Sequence, residues 1–262
     1  MGLIGLWTSK SALAAQQEKL DCISNNIANA STLGYKREEV SFQDLVYDKL
    51  ERAGIPTAKD AKTALINGSG VKVGIALRDT TQGSMLTTGV STDFALDGKG
   101  YFRVIKQDGS FAYERNGSFS VDGTGKLVDK GGNILEIQYT EDGNKINAAG
   151  GLSADNFSVD QTGVITVKQG ASSVDYGKIN VYNVTGNDSM LSVGNDLYVP
   201  VQGANIYSEN GTNVLQGYLE NSNVDMSKEM ADMIIAQRSF QLGSKGISTA
   251  DEMWGLINNM KK

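Results

Sequence analysis

The 262-residue sequence contains no histidine. That absence removes Ser-His-Asp and Cys-His catalysis, histidine-ligated zinc and the H-E-x-x-H hydrolases. Cysteine occurs once, at Cys22, so neither an internal disulfide nor a cysteine-rich metal site can form. Cys22 reads as a small packed residue on a helix. The two prolines, Pro56 and Pro200, fall outside the helical patterns at the ends. No apolar run approaches the ~20 residues of a membrane helix. The first twenty residues lack a basic leading region, so no cleavable signal peptide is expected. Basic residues are the minority: the net charge is -6, which argues against a broad nucleic-acid-binding face. Composition alone would point to the cytoplasm. Hydrophobic residues make up 40%, enough for a core, and the length suits one large or two modest domains.

What is present falls into three stretches. In residues 1 to about 30, Leu6, Leu13, Leu20 and Ile27 recur every seven positions. The spacing predicts a helix roughly 40 Å long that packs on another helix. In the last forty residues Met226, Met233, Phe240, Ile247 and Trp254 also recur every seven. A line of Ala236, Gly243, Ala250 and Ile257 runs beside them, and small residues let a second backbone approach. Gly243 and Gly246 each cost about 1 kcal/mol against alanine in a helix, so packing reasons are expected for both. Asn223 and Asp225 are expected caps, with Glu229 favoured in the first turns.

From about Gly70 to Gly217 the pattern alternates and is rich in glycine. Asp97-Gly98, Asp108-Gly109, Asn116-Gly117 and Asp122-Gly123 predict hairpin turns with φ > 0 at both positions. Phe102/Val104, Phe111/Tyr113 and Phe119/Val121 alternate as half-buried strands do. Segment 49–70, with Pro, Gly, Lys and Ala mixed, fits neither period and reads as a long excursion. The fold class expected is α+β. Residues 1–48 and 218–262 would form one discontinuous coiled-coil-like helical domain, joined through 49–70 to a β-rich domain at 71–217.

No motif carries chemistry. Gly123-Thr-Gly125-Lys126 lacks the first glycine and the final Ser/Thr of a phosphate loop. The ligand set of a calcium loop starting at Asp93 fails at Ala95 and Val104. No catalytic, cofactor or metal site is expected, and a carboxylate-based cell-wall glycosidase is kept as the enzymatic alternative. The stretch "SNNIANASTLGYKR" places Asn25, Asn26 and Asn29 near a helix end. Each amide is donor and acceptor at once and can bond its own backbone or a neighbouring copy. Gly34 would supply the turn and Tyr35 an anchor for the chain that follows.

These residues also carry a resemblance. "SNNIANASTLGYKR" and "SNVDMSKEMADMIIAQRSFQLGSKGISTADEM" closely resemble the two end signatures of the bacterial flagellar rod and hook proteins. "FQDLVYDKL" and "TTQGSMLTTGVSTDFALDGKGYFRV" are similar to the family as well. Length and the 49–70 excursion are most similar to its distal rod members, with proximal rod, hook and other hook-basal-body paralogues as alternatives. The resemblance implies export through the flagellar type III apparatus without a cleaved signal, which overturns the cytoplasmic default. It implies helical assembly outside the inner membrane into a rigid tube around a central channel. The implied partners are copies of the chain, other rod and hook subunits, the export apparatus and rod-surrounding ring proteins. No nucleic acid, small-molecule substrate or cofactor is implied. The resemblance favours an intersubunit contact for at least one of the asparagines, and assigns the heptad residues to assembly.

Overall fold

A computed structural model of the chain describes residues 2–45, 47–49, 66–68, 70–148, 150–153, 156–169, 172–186, 189–209 and 211–260. Helix α1 (Gly2–Ala28) is followed by β1 (Glu38–Asp44), β2 (Tyr47–Lys49), β3 (Ile66–Gly68) and β4 (Val71–Arg78). Next come β5 (Met85–Thr87), β6 (Phe94–Asp97), β7 (Tyr101–Ile105), β8 (Phe111–Glu114), β9 (Ser120–Val121) and β10 (Leu127–Val128). Then follow β11 (Ile134–Leu135), β12 (Ile137–Tyr139), α2 (Glu141–Ala148), β13 (Phe157–Val159), β14 (Val164–Gln169) and β15 (Ser172–Ile179). The chain closes with β16 (Val181–Val184), β17 (Met190–Gly194), β18 (Leu197–Pro200), β19 (Ile206–Ser208), β20 (Asn213–Gln216), β21 (Tyr218–Glu220) and α3 (Met226–Met260). The class is α+β. The chain separates into two compact units, one of residues 1–27, 38–77 and 225–262, the other of 28–37 and 78–224.

In the first unit α1 and α3 pack antiparallel. Asn26 on α1 meets Glu229 on α3, and Leu13 meets Gly243, so one helix descends as the other rises. The same offset carries Leu20 to Ala236 and Leu6 to Ala250, which sets the heptad leucines against the line of small residues. Ala236 and Ile23 are buried accordingly. Gly243 has the expected packing reason: a Cβ there would lie 3.1 Å from Leu13 Cδ2. Gly246 does not, since a Cβ there would meet nothing within 4 Å. Asp225 caps α3 through bonds from the Ser227 and Lys228 amides. Asn223 is not a cap, because its side chain is engaged elsewhere, as described below.

Strand β1 runs back along α1, with Lys19 over the Phe42 ring and Cys22 Sγ bonded to the Glu38 carbonyl. It pairs with β4, whose Val71 amide donates to Ser11 Oγ on α1. At the base of the 49–70 excursion, β2 and β3 pair, Tyr47 opposite Gly68 and Lys49 opposite Ile66. Residues 50–65 and 69, Pro56 included, lie outside the described residues.

The second unit is built on a nine-stranded sheet and a four-stranded sheet, β12-β15-β14-β13. One apolar cluster fills it, including Phe94, Phe102, Leu127, Leu135, Ile165 and Ile179. Phe102 and Val104 are buried as their alternation predicts, but Phe111 is half-exposed and its neighbour Ala112 takes the core position. The turn geometry also differs from expectation. Asp108, Asp122, Gly117 and Gly123 do not have positive φ. Instead an Asp-x-x-Gly turn recurs at 122–125, 129–132 and 160–163. The glycine amide donates to the aspartate carbonyl and the glycine takes φ between 74° and 82°. A turn with φ > 0 at both positions does occur, at Asn195 and Asp196 (φ 54° and 61°), where a two-residue loop joins β17 to β18. Pro200 lies within β18, opposite Met190. Helix α2, which the sequence pattern did not announce, packs on β15. Gly143 permits it, since a Cβ there would lie 1.7 Å from the Tyr176 carbonyl.

Candidate functional site

The expected site residues are spread over both units. On the helix pair, Leu6, Leu13, Leu20 and Ile27 are half-buried, and so are Met233, Phe240 and Ile247. Met226 and Trp254 are exposed. The side of α3 turned away from α1 is mixed: Met230, Ile234, Ile235, Leu242, Met253 and Leu256 are each more than half exposed, and the exposed Arg238, Gln241, Lys245 and Glu252 stand among them. Trp7 is exposed on α1. Large apolar side chains exposed together on a helix are costly in water and commonly belong to an interaction surface.

The three asparagines differ in their surroundings. Asn25 is exposed. Asn29 Oδ1 accepts from the Thr32 hydroxyl. Asn26 is 1% exposed and is used inside the chain. Its Nδ2 donates to the Glu38 carbonyl at 2.8 Å and to Glu229 Oε2 at 3.2 Å, and its Oδ1 accepts from the Glu38 amide at 3.0 Å. One amide thus binds α1 to the start of β1 and to α3. Glu229 is fully buried there, a tertiary position and not merely a first-turn charge.

Gly34 and Tyr35 belong to the second unit. Gly34 makes the turn at φ 70°, where a Cβ would lie 2.8 Å from the backbone of Arg115 and Asn116. Its amide donates to the Glu220 carbonyl. The Tyr35 carbonyl accepts from the Asn223 amide.

Beside them is a cluster that the sequence pattern missed. Lys36 Nζ donates to Glu220 Oε1 at 2.6 Å and to the Thr81 carbonyl at 2.8 Å. Arg115 Nε donates to Glu220 Oε2 at 2.6 Å, and its other nitrogens donate to the carbonyls of Gly100, Leu96 and Gly98. The Gly83 amide also donates to Glu220 Oε1. The Lys36, Arg115 and Glu220 side chains are 5%, 3% and 1% exposed. Burial, aided by Arg115, holds the Lys36 ammonium below its ordinary range. Burial would raise the Glu220 carboxyl, but Arg115 and Lys36 outweigh it and hold it below the usual range. Asn223 completes the cluster: its Oδ1 accepts from the Arg37 amide, and its Nδ2 donates to the carbonyls of Asp79 and Thr81. The segments at 37, 79 and 223, each next to a passage between the units, are therefore tied together by one side chain.

Lys36 and Arg115 have their donors turned onto their own chain. Among the described residues no set of three or more His, Cys, Asp or Glu converges on a metal position, and no helix is long and apolar enough to cross a membrane.

Comparison with known proteins gives three matched regions. Residues 6–36 match the family described as flagella basal body rod protein, and 95–171 match the flagellar hook protein FlgE/F/G D1 domain. Residues 215–260 match the flagellar basal body rod FlgEFG protein C-terminal family. The chain is 34% identical over 269 residues to the flagellar basal-body rod protein FlgG of Borreliella burgdorferi, covering 98% of each chain. It is 39% identical over 260 residues to the FlgG of Buchnera aphidicola from Acyrthosiphon pisum, covering 95% of this chain and 96% of that one. With the FlgG of Bacillus subtilis it shares 34% identity over 281 residues, covering 99% and 100%.

Proposed function

The chain belongs to the flagellar basal-body rod protein family, and on that premise we propose that it is a structural subunit of the rod, most like its distal members. Copies pack helically into a rigid tube that transmits torque and surrounds a central export channel. Contacts between copies are heterologous, and the assembly stays open because the rotation does not close. The observation that carries this reading is the set of large apolar side chains that α3 leaves exposed while it is paired with α1, Ile235, Leu242 and Met253 among them. Such side chains gain most by being covered by another copy.

In this reading assembly falls to the parts of 1–48 and 218–262 that lie in the helical unit, the head is the β-rich unit, which takes 28–37 and 78–224 in place of 71–217, and 49–70 is the excursion that stiffens the tube. Leu6, Leu13, Leu20, Ile27, Met226, Met233, Phe240, Ile247 and Trp254 form the helical layer. Asn25, Asn29, Gly34 and Tyr35 set the contacts where α1 ends, while Asn26 acts by fixing α1 on α3. Other rod and hook subunits, the type III export apparatus and the surrounding rings are its partners. The subunit works in the basal body outside the inner membrane, exported without a cleaved signal, and it catalyses no reaction.

Electron microscopy of the concentrated protein tests the proposal. Straight tubes are expected from the native chain, and none from Leu13→Asp or Phe240→Asp, with the β-rich unit still folded by circular dichroism. Curved tubes would point to a hook-like paralogue. Normal tubes from either variant would remove the helical layer as the assembly element.

A further inference from the structure

The β-rich unit contains a cleft of ≈ 580 Å³ that the rod reading leaves without a role. Its innermost polar group is Glu114, the last residue of β8. Strand alternation puts this side chain on the same sheet face as Ala112, and its cross-strand neighbours are Phe102 and Leu197. Glu114 is only 3% exposed, and its Oε1 has no hydrogen-bond partner. Two more carboxylates line the cleft, Asp129 from the turn after β10 and Asp196 from the loop between β17 and β18. Asp129 already accepts from the Asn133 amide and side chain, and Asp196 Oδ2 lies 3.5 Å from Asn116 Nδ2. Lys106 and Lys130 also line the cleft, Lys130 on its exposed side.

We propose that this cleft is a binding site for a guanidinium group, with Glu114 as its principal acceptor. A buried carboxyl oxygen without a partner is an unmet demand, and a cation with N–H groups meets it once the carboxyl has given up its proton. A metal ion fits less well, because the carboxylates do not converge as ligands. A guanidinium presents five N–H donors in a flat fork. It can bond Glu114 at the base of the cleft and still reach Asp129 or Asp196 at the side. Val193 and Leu197, which also line the cleft, give its flat face an apolar wall. Burial, with the charges of Asp129 and Asp196, raises the Glu114 carboxyl to about 9. At neutral pH the empty site therefore holds a proton. Binding releases that proton to solvent as the carboxylate pairs with the cation.

The test uses N-acetyl-arginine amide, whose only charge is the guanidinium, titrated into the full chain by calorimetry between pH 6 and pH 8. Expected are saturable binding, release of close to one proton at pH 7, and affinity that rises up to about tenfold per pH unit. Amide NMR shifts should concentrate at residues 114, 129 and 196. N-acetyl-lysine amide should bind at least fivefold more weakly. Glu114→Gln, which keeps the shape and removes the charge, should lose at least tenfold in affinity and all pH dependence. Asp108→Asn, in an exposed turn elsewhere, should change nothing. If the guanidinium comes from another copy of the chain, saturating probe and Glu114→Gln will both weaken self-association. If self-association is untouched, the site takes the group from a free small molecule. Absence of saturable binding, or equal binding by Glu114→Gln with an unchanged spectrum, overturns the proposal.

Discussion

Lys36 and Glu220 stand 184 residues apart in sequence, and their charged ends meet at 2.6 Å in the interior of the β-rich unit. Arg115 holds the other oxygen of the same carboxylate. Glu220→Ala would leave both cations buried without a counter-charge, which typically costs about 3–5 kcal/mol. The loss should appear in urea unfolding followed by the near-ultraviolet signal of tyrosine. Lys36→Met removes a charge and its burial penalty together, so a smaller loss is expected. Equal losses for the two variants would contradict a carboxylate-centred cluster.

Two buried carboxylates should respond to pH in opposite senses. The folded Glu220 carboxyl titrates below its unfolded value. Its contribution is therefore present above the ordinary carboxylate range and is lost as pH falls through the folded value. Glu114 titrates at about 9 when folded, so between the ordinary range and pH 9 the native state keeps a proton that the unfolded chain releases. Stability from that group declines as pH rises across this window. Glu114→Gln should raise the unfolding midpoint by an amount that grows from pH 5 to pH 9, and Glu220→Gln should flatten the acid limb. A Glu114→Gln gain independent of pH would show that the carboxyl ionises normally.

Asn26 is the hinge pin of the helical unit, so Asn26→Ala should cost about 1–3 kcal/mol by leaving the Glu38 backbone and Glu229 short of partners. Asn26→Asp should cost more, since a second carboxylate then faces Glu229. Trp7 and Trp254 are the only tryptophans, and each lies on one of the paired helices. Tryptophan fluorescence therefore reports this unit alone. An Asn26→Ala midpoint equal to that of the native chain would sink the assignment.

Gly243 and Gly246 make a controlled pair. Gly246→Ala meets open space and should stabilise α3 by up to about 1 kcal/mol through helix propensity. Gly243→Val presses on Leu13 and should loosen the helix pair instead. The same tryptophan signal reads both, and a destabilising Gly246→Ala would mean that this position is covered.

The helices were legible because a seven-residue apolar repeat survives without knowledge of the partner. Their antiparallel register was not, since Leu13 on Gly243 is a long-range choice that periodicity cannot make. Lys36 gave no warning of burial: it lies in a polar run, and its partner is at the far end of the chain. Asp108-Gly109 and Asp122-Gly123 do lie in the β7–β8 and β9–β10 hairpins, but with other φ values than expected, while Asp97-Gly98 and Asn116-Gly117 join strands that do not pair with each other. At 122–125 the left-handed residue is Gly125, and the β17–β18 hairpin takes its two positive φ values at Asn195-Asp196, a pair without glycine. Helix α2 escaped notice because Gly143 lowers helix propensity, and only the Tyr176 carbonyl explains it. Glu114 looked like an ordinary strand-end acid until its neighbours closed over it.

The antiparallel meeting of α1 and α3 also sets an order of events. The two helices of this stalk meet through residues 203 apart in sequence, with the whole β-rich unit between them, so neither can find its mate until both are free. A molecule still threading through any narrow passage, from either end, carries one unmatched helix. Completion of the stalk is therefore a built-in check that both helices, and the β-rich unit between them, have emerged.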